Sequence, residues 1–187
     1  MMVALPKPVT IEDFEAFSSR PENADRIFEL INGEIIEVPS DLEASKIAHH
    51  IGHLLAEFLK DHDLGTFTGD TVGYAIHKDR YMPDVAFMAH PKGPCTAWFN
   101  PEPPDLVVEV DYPSTLKSRR VLSVKIAHYL LAGIVVWAVY PDERSVDVFA
   151  PGHEVITLDE NGTLDGGSML PGFTLPVSKI FPKKASE

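Results

Sequence analysis

Residues 104–110 read Pro104-Asp105-Leu106-Val107-Val108-Glu109-Val110, and this stretch decides the fold. Apolar side chains stand at both alternating sets of positions, so the strand it forms must be covered on both faces. Glu109 therefore sits where a solvated charge has no place. Burying an unpaired carboxylate costs several kcal/mol, enough to force neutralisation or pairing. A metal ion or a cation has to answer it; a plain buried salt bridge is the structural alternative.

Downstream, residues 115–132 read as a helix and 134–140 as another strand, with 144–149 pairing beside it across the Pro141-Asp142 turn. The helix leaves the Glu109 strand and can fold back over the sheet. Lys125, in its middle, shares a mostly apolar face with Val121 and Tyr129. A lone lysine on such a stripe can snorkel to water, but here it can also face the carboxylate. Upstream, Met82-Pro83-Asp84 leads into the apolar run Val85-Ala86-Phe87-Met88. Proline lacks the ladder donor and belongs at a strand start, an edge or a bulge, which sets Asp84 where a strand begins or bends. A turn-forming Pro-Asp pair is the bland alternative.

Two carboxylates and a lysine are the minimum for metal-assisted phosphodiester hydrolysis: the carboxylates hold a divalent cation and the lysine orients the attacking water. Asp84, Glu109 and Lys125 are the expected catalytic set. Asp84, Glu109 and the backbone carbonyl of Val110 are the expected metal ligands. Oxygen donors with no nearby cysteine favour Mg²⁺ or Mn²⁺ over zinc.

Further out, Thr10 and Asp13 form a capping-box pattern that opens a helix through about Phe17. Residues 26–38 read as two strands around Asn32-Gly33, a hairpin signal because both turn positions favour positive φ. Ser40 or Asp41 caps a longer helix reaching Lys60, with Ile47, Ile51, Leu54, Leu55 and Phe58 at helical spacing. Strands are expected over 66–76 and 81–89, a proline- and glycine-rich loop over 90–104, and a last strand over 155–158. The fold class is α/β (α+β): a mixed β-sheet flanked by helices, with an N-terminal β-hairpin. The chain, 1–187, is read as one domain, with its core over about 10–150 and a loop-rich C-terminal tail.

The order Phe28-Glu29-Leu30-Ile31-Asn32-Gly33-Glu34, Pro83-Asp84-Val85, residues 104–110, Pro113-Ser114-Thr115, Lys125, Tyr129, Ala132-Gly133 and Trp137 resembles the Uma-two family. That family of bacterial proteins belongs to the restriction-endonuclease-like PD-(D/E)xK nuclease superfamily. The resemblance implies that Asp84 and Glu109 bind metal. It implies nucleic acid as the partner, DNA ahead of RNA, and keeps a homodimer open. The superfamily's lysine usually falls two residues after the glutamate, here Asp111, whereas the resemblance points to Lys125 on the following helix. Family positions occupied here by Tyr112, Val121 and Tyr140 depart from the pattern. They leave room for an alternative: a catalytically degenerate nuclease fold that acts in binding or assembly.

Composition bounds the rest. The 44% hydrophobic and 24% charged residues describe an ordinary globular chain. A formal net charge of −12 is the opposite of a nucleic-acid footprint, so any grip on phosphate must be local. Lys117, Arg119 and Arg120 are the candidates, with Lys78 and Arg80 beside them. No signal peptide is expected, and no apolar run approaches the roughly 20 residues of a membrane span. Cys95 is the sole cysteine, so a reducing cytoplasm fits and no membrane role is read. Glu29 and His49 are accessory candidates. The more ordinary reading of Glu29 is an outward strand position or a structural pair, and of His49 a solvated helix residue. Tyr74, Trp98 and Phe99 offer rings for base stacking, though core packing is the commoner role.

Overall fold

The computed structural model describes residues 7–39, 41–90, 99–113 and 115–182. The chain opens with α1 (Ile11–Ser18), whose capping box forms as its sequence requires: Thr10 Oγ1 accepts from the Asp13 N–H at 3.1 Å. A 3₁₀ turn leads to β1 (Phe28–Ile31) and β2 (Glu34–Glu37), antiparallel about Asn32 and Gly33, whose φ values are +52° and +75°. Then comes α2 (Leu42–Lys60), capped by Asp41, whose carboxylate accepts from the Ala44 N–H. Of the two cap candidates, Ser40 lies outside the described residues.

Next come β3 (Thr66–Gly69), β4 (Gly73–Ile76), β5 (Asp79–Tyr81) and β6 (Val85–Met88), then β7 (Phe99–Asn100) and β8 (Leu106–Val110). After β8 the chain forms α3 (Leu116–Leu131), β9 (Val135–Tyr140), β10 (Ser145–Phe149), β11 (Ile156–Leu158), β12 (Thr163–Asp165) and β13 (Thr174–Pro176). Thr115 caps α3 with a second capping box, closed by Ser118.

The strands sort into a six-stranded sheet, β11-β10-β9-β8-β6-β3, a five-stranded sheet, β2-β1-β5-β4-β7, and the hairpin β12-β13. β8 and β9 run parallel, joined by α3, while β6 and β8 are antiparallel. Alternation along β8 assigns its faces. Leu106, Val108 and Val110 point into a core shared with Ile47, Ile51 and Leu55 of α2. Val107 points the other way, with Leu122, Ile126 and Tyr129 of α3 and with Ile31, Tyr74 and Tyr81 of the five-stranded sheet. Both faces of the heptapeptide are covered, the condition its apolar pattern imposes.

Three expectations are corrected. The run 66–76 is two strands in two sheets, because the chain turns at Asp70 before β4 begins. The run 81–89 is likewise divided: β5 belongs to one sheet and β6 to the other, with Pro83 at the crossing. The C-terminal segment is more than a loop-rich tail beyond a core ending near 150. Leu164, Leu170, Phe173, Leu175, Val177, Ile180 and Phe181 are buried in the α2 core. Within the loop expected over 90–104, Phe99 and Asn100 form a short parallel strand with β4. Among the described residues no helix is long and apolar enough to cross a membrane.

Candidate active site

Glu109 is the one charged residue of β8, and it lies on the α3 face of the sheet between Val108 and Val110, which face α2. It is only 6% exposed, and both of its oxygens are engaged. Oε2 accepts from Lys125 Nζ at 2.7 Å, and Oε1 accepts from the Tyr129 hydroxyl at 2.7 Å. Lys125 and Tyr129 are one turn apart on α3, so one helix face supplies both donors. Lys125 also reaches Glu29 Oε1 at 3.0 Å. That glutamate lies on β1 of the other sheet, 2% exposed, and its Oε1 also accepts from the Met82 N–H at 2.9 Å. One ammonium thus ties together β8, β1 and α3.

Asp84 precedes β6 at the crossing between the sheets. Val85 pairs with Val108, so the next step of the antiparallel register sets Asp84 beside Glu109. Asp84 Oδ2 accepts from the Val110 N–H at 2.6 Å. In an extended strand the N–H and carbonyl of one residue face the same neighbour, so the Val110 carbonyl is turned to the same side.

The electrostatics follow from one cation among three carboxyls. Burial pushes Asp84 up to about 6, against the pull of the Val110 N–H and Lys125. Burial likewise pushes Glu109 up, with Glu29 and Asp84 adding to the rise and Lys125 opposing it. Burial alone would discharge Lys125, but Glu109 and Glu29 outweigh it and hold its ammonium above the ordinary lysine range. Burial and the same two glutamates keep the Tyr129 hydroxyl protonated. The cluster holds more acid than one lysine can offset.

That excess is what a divalent cation would answer. The donors are all oxygen, the chemistry of Mg²⁺ or Mn²⁺. Asp84 and the Val110 carbonyl are the best-placed ligands. Glu109 would have to share oxygens already bound to Lys125 and Tyr129. Among the described residues no group of three or more His, Cys, Asp or Glu is gathered for a metal. Two cavities open instead between α2 and the C-terminal segment. One is lined by Phe58, Phe173 and Lys179, the other by Ile47, His50 and Phe181. Neither borders the carboxylates, and Glu29, Glu109 and Lys125 are themselves buried.

The structure gathers Asp84, Glu109, Lys125 and Glu29, but not His49. His49 is exposed on α2, whose buried residues pack on the opposite face of the six-stranded sheet. Of the two ordinary readings of Glu29, the structure shows the pair and not the outward position: it faces inward to Lys125. Tyr129 was missed as a site residue; its spacing of four from Lys125 was the available signal. A second buried network adjoins it. Tyr81 Oη lies 2.5 Å from His128 Nδ1 and 3.3 Å from Asp79 Oδ2, and Asp79 Oδ1 accepts from the Asn32 N–H of the hairpin turn. Tyr74 and Phe99 are buried in the core, which removes them as base-stacking platforms. Cys95, Trp98 and Ser114 lie outside the described residues.

A family model described as "Uma2: Putative restriction endonuclease" matches residues 11–178. Among curated proteins none matches the chain. Among solved structures, the chain is similar to "a putative nuclease belonging to DUF820" from Anabaena variabilis ATCC 29413. The TM-score is 0.77 at 20% identity, covering 93% of this chain and 98% of the other. That likeness speaks for the fold.

Proposed function

Because this chain belongs to the Uma2 family of restriction-endonuclease-like proteins, we propose that it is a metal-dependent endonuclease hydrolysing phosphodiester bonds in nucleic acid, DNA ahead of RNA. The observation that carries this reading is the buried cluster: Glu109 from one sheet and Glu29 from the other share the single ammonium of Lys125, and Asp84 stands at their crossing, held by the Val110 N–H. In a merely structural core an isosteric apolar cluster would be at least as stable. Retaining the excess acid points to a ligand that the carboxylates await.

In the proposed mechanism Asp84, Glu109 and the Val110 carbonyl would hold Mg²⁺ or Mn²⁺. Once bound, the ion neutralises phosphate charge and lowers the pKa of its bound water. Lys125, kept charged by two glutamates, would orient the attacking water and offer its ammonium to the charge that develops on the phosphoryl oxygens. Tyr129 fixes one oxygen of Glu109 by donating to it, and Glu29 fixes Lys125. A single domain, a cytoplasmic setting and a homodimer acting on both strands belong to the same proposal.

The test is cleavage of single- and double-stranded DNA, and of RNA, with Mn²⁺. Asp84→Asn and Glu109→Gln are each expected to lower the rate by about a hundredfold or more. A folded wild type that cuts none of these substrates overturns the enzyme reading. It would leave a nuclease fold used for binding. The engagement of both Glu109 oxygens by Lys125 and Tyr129 is the observation favouring that second reading.

A further inference from the structure

In a chain of net charge −12, five cations among the described residues are held by neighbouring acids. Arg26 pairs with Glu37, Lys46 with Glu43, Lys60 with Glu57, Arg144 with Glu160, and Lys125 with Glu29 and Glu109. Of the others, three stand together in the first turns of α3. Lys117, Arg119 and Arg120 are all exposed there, and among the described residues none of them forms an ion pair. No acidic residue shares the first turn. Helix stability does not account for their placement, because cations near a helix N-terminus oppose its dipole.

Their position relative to the carboxylates is what gives them a use. α3 follows directly on β8, so these cations and Glu109 flank one short connection. The Arg119 Nε–H donates to the carbonyl of Pro113 in that connection at 2.8 Å, which holds this guanidinium over it. Lys125 is on the same helix, about 12 Å along the axis from Lys117 and about 8 Å from Arg120 at ~1.5 Å per residue. That is on the scale of about two to four nucleotide steps of a strand, at ~3.4 Å per base pair in duplex form. Arg80, another basic candidate, is placed differently: it lies over the Phe99 ring on the five-stranded sheet.

We propose that Lys117, Arg119 and Arg120 form a sequence-independent grip on the phosphodiester backbone of nucleic acid, leading the strand to Asp84 and Glu109. This rests on the nuclease reading and adds to it the surface by which an acidic protein meets a polyanion. Three free cations are matched to a repeating monoanion, whereas an acidic peptide would present carboxylates without a fixed repeat. The grip carries no base readout, since cation–phosphate contacts hold the backbone and leave the bases unread.

The test is binding of fluorescein-labelled duplex DNA, followed by anisotropy, with Ca²⁺ replacing Mg²⁺ or Mn²⁺ so that the substrate stays intact. Lys117→Ala/Arg119→Ala/Arg120→Ala is expected to weaken binding at least tenfold, equally for unrelated sequences. It should also flatten the dependence of log affinity on log salt by about 2–3, at ~0.9 per phosphate contact. A control, Lys46→Ala/Lys60→Ala/Lys179→Ala, removes the same charge from the α2 side and is expected to bind like wild type. All six lysines and arginines are exposed, and thermal melts should show both variants folded. If both variants weaken equally, or the α3 variant binds as wild type does, the grip is overturned and the nuclease reading stands. If the wild type neither binds nor cuts DNA or RNA with Mn²⁺, the nuclease reading falls and takes the grip with it.

Discussion

α2 turns Ile47, Ile51 and Leu55 onto one face of the six-stranded sheet, while α3 turns Leu122, Ile126 and, between them, Lys125 onto the other. The first helix follows every local rule. Its buried stripe is apolar, Asp41 caps it, Glu43 stands in its first turn and Lys60 in its last. The second breaks two of them, with a lysine in its buried stripe and unpaired cations in its opening turns. Its capping box is sound, so the departures are not those of a weak helix. Rules broken on one helix and kept on its counterpart mark where a fold has given up stability for a site. α2 packs on the sheet through apolar residues alone; α3 also donates to Glu109 through Lys125 and Tyr129.

The largest test of this contrast removes the inward lysine. Lys125→Ala should cost about 3–5 kcal/mol in urea unfolding, because it strands Glu29 and Glu109 without a cation. A loss below about 1 kcal/mol would mean that the cluster is solvated. On α2, Leu55→Ala should cost about 2–5 kcal/mol through cavity formation alone, with a loss that is unchanged by pH. Tyr129→Phe removes the donor to Glu109 Oε1 and should cost about 1–3 kcal/mol by leaving a buried acceptor unpaired.

Asp84 predicts a change of opposite sign. Its carboxyl is raised from 3.8 to about 6 in the folded state, so the native protein binds this proton more tightly than the unfolded chain. Stability is therefore lost as pH rises between about 4 and 6, and the ionised group is a burden above that. In metal-free buffer Asp84→Asn should stabilise the protein by about 1–3 kcal/mol at pH 8 and by almost nothing at pH 4. Destabilisation at pH 8 would show that Lys125 already satisfies Asp84. The smallest effect belongs to the surface of α2. Lys60→Ala, which removes an exposed pair with Glu57, should shift stability by no more than about 0.5 kcal/mol in thermal melts.

The same contrast explains what could be read in advance. Glu109 was legible because a charge inside a two-sided apolar strand violates burial, and Lys125 because a cation interrupts an apolar helix face. Asp84 was legible through Pro83, which marks a strand start. Glu29 was legible only as an accessory candidate, since its strand alternates in a way that suits either face. Only the packing of the five-stranded sheet beneath α3 turns it inward. Tyr129 passed as core because a buried tyrosine ring is ordinary, and its hydroxyl matters only once Glu109 lies opposite.

By itself the sequence determined the helix boundaries, through Thr10, Asp41 and Thr115, and the hairpin, through Asn32-Gly33. It also determined the buried charge at Glu109 and the cation that answers it. These are local matters, settled by hydrogen bonds within a turn and by the period of apolar residues. Tertiary structure alone decided that 66–76 and 81–89 divide between two sheets and that Glu29 joins Lys125. It also decided that Leu164, Leu170, Phe173 and Leu175 belong to the core of α2. Those outcomes depend on which surfaces meet after long stretches of chain, and single apolar residues among turns carry no periodicity to announce it.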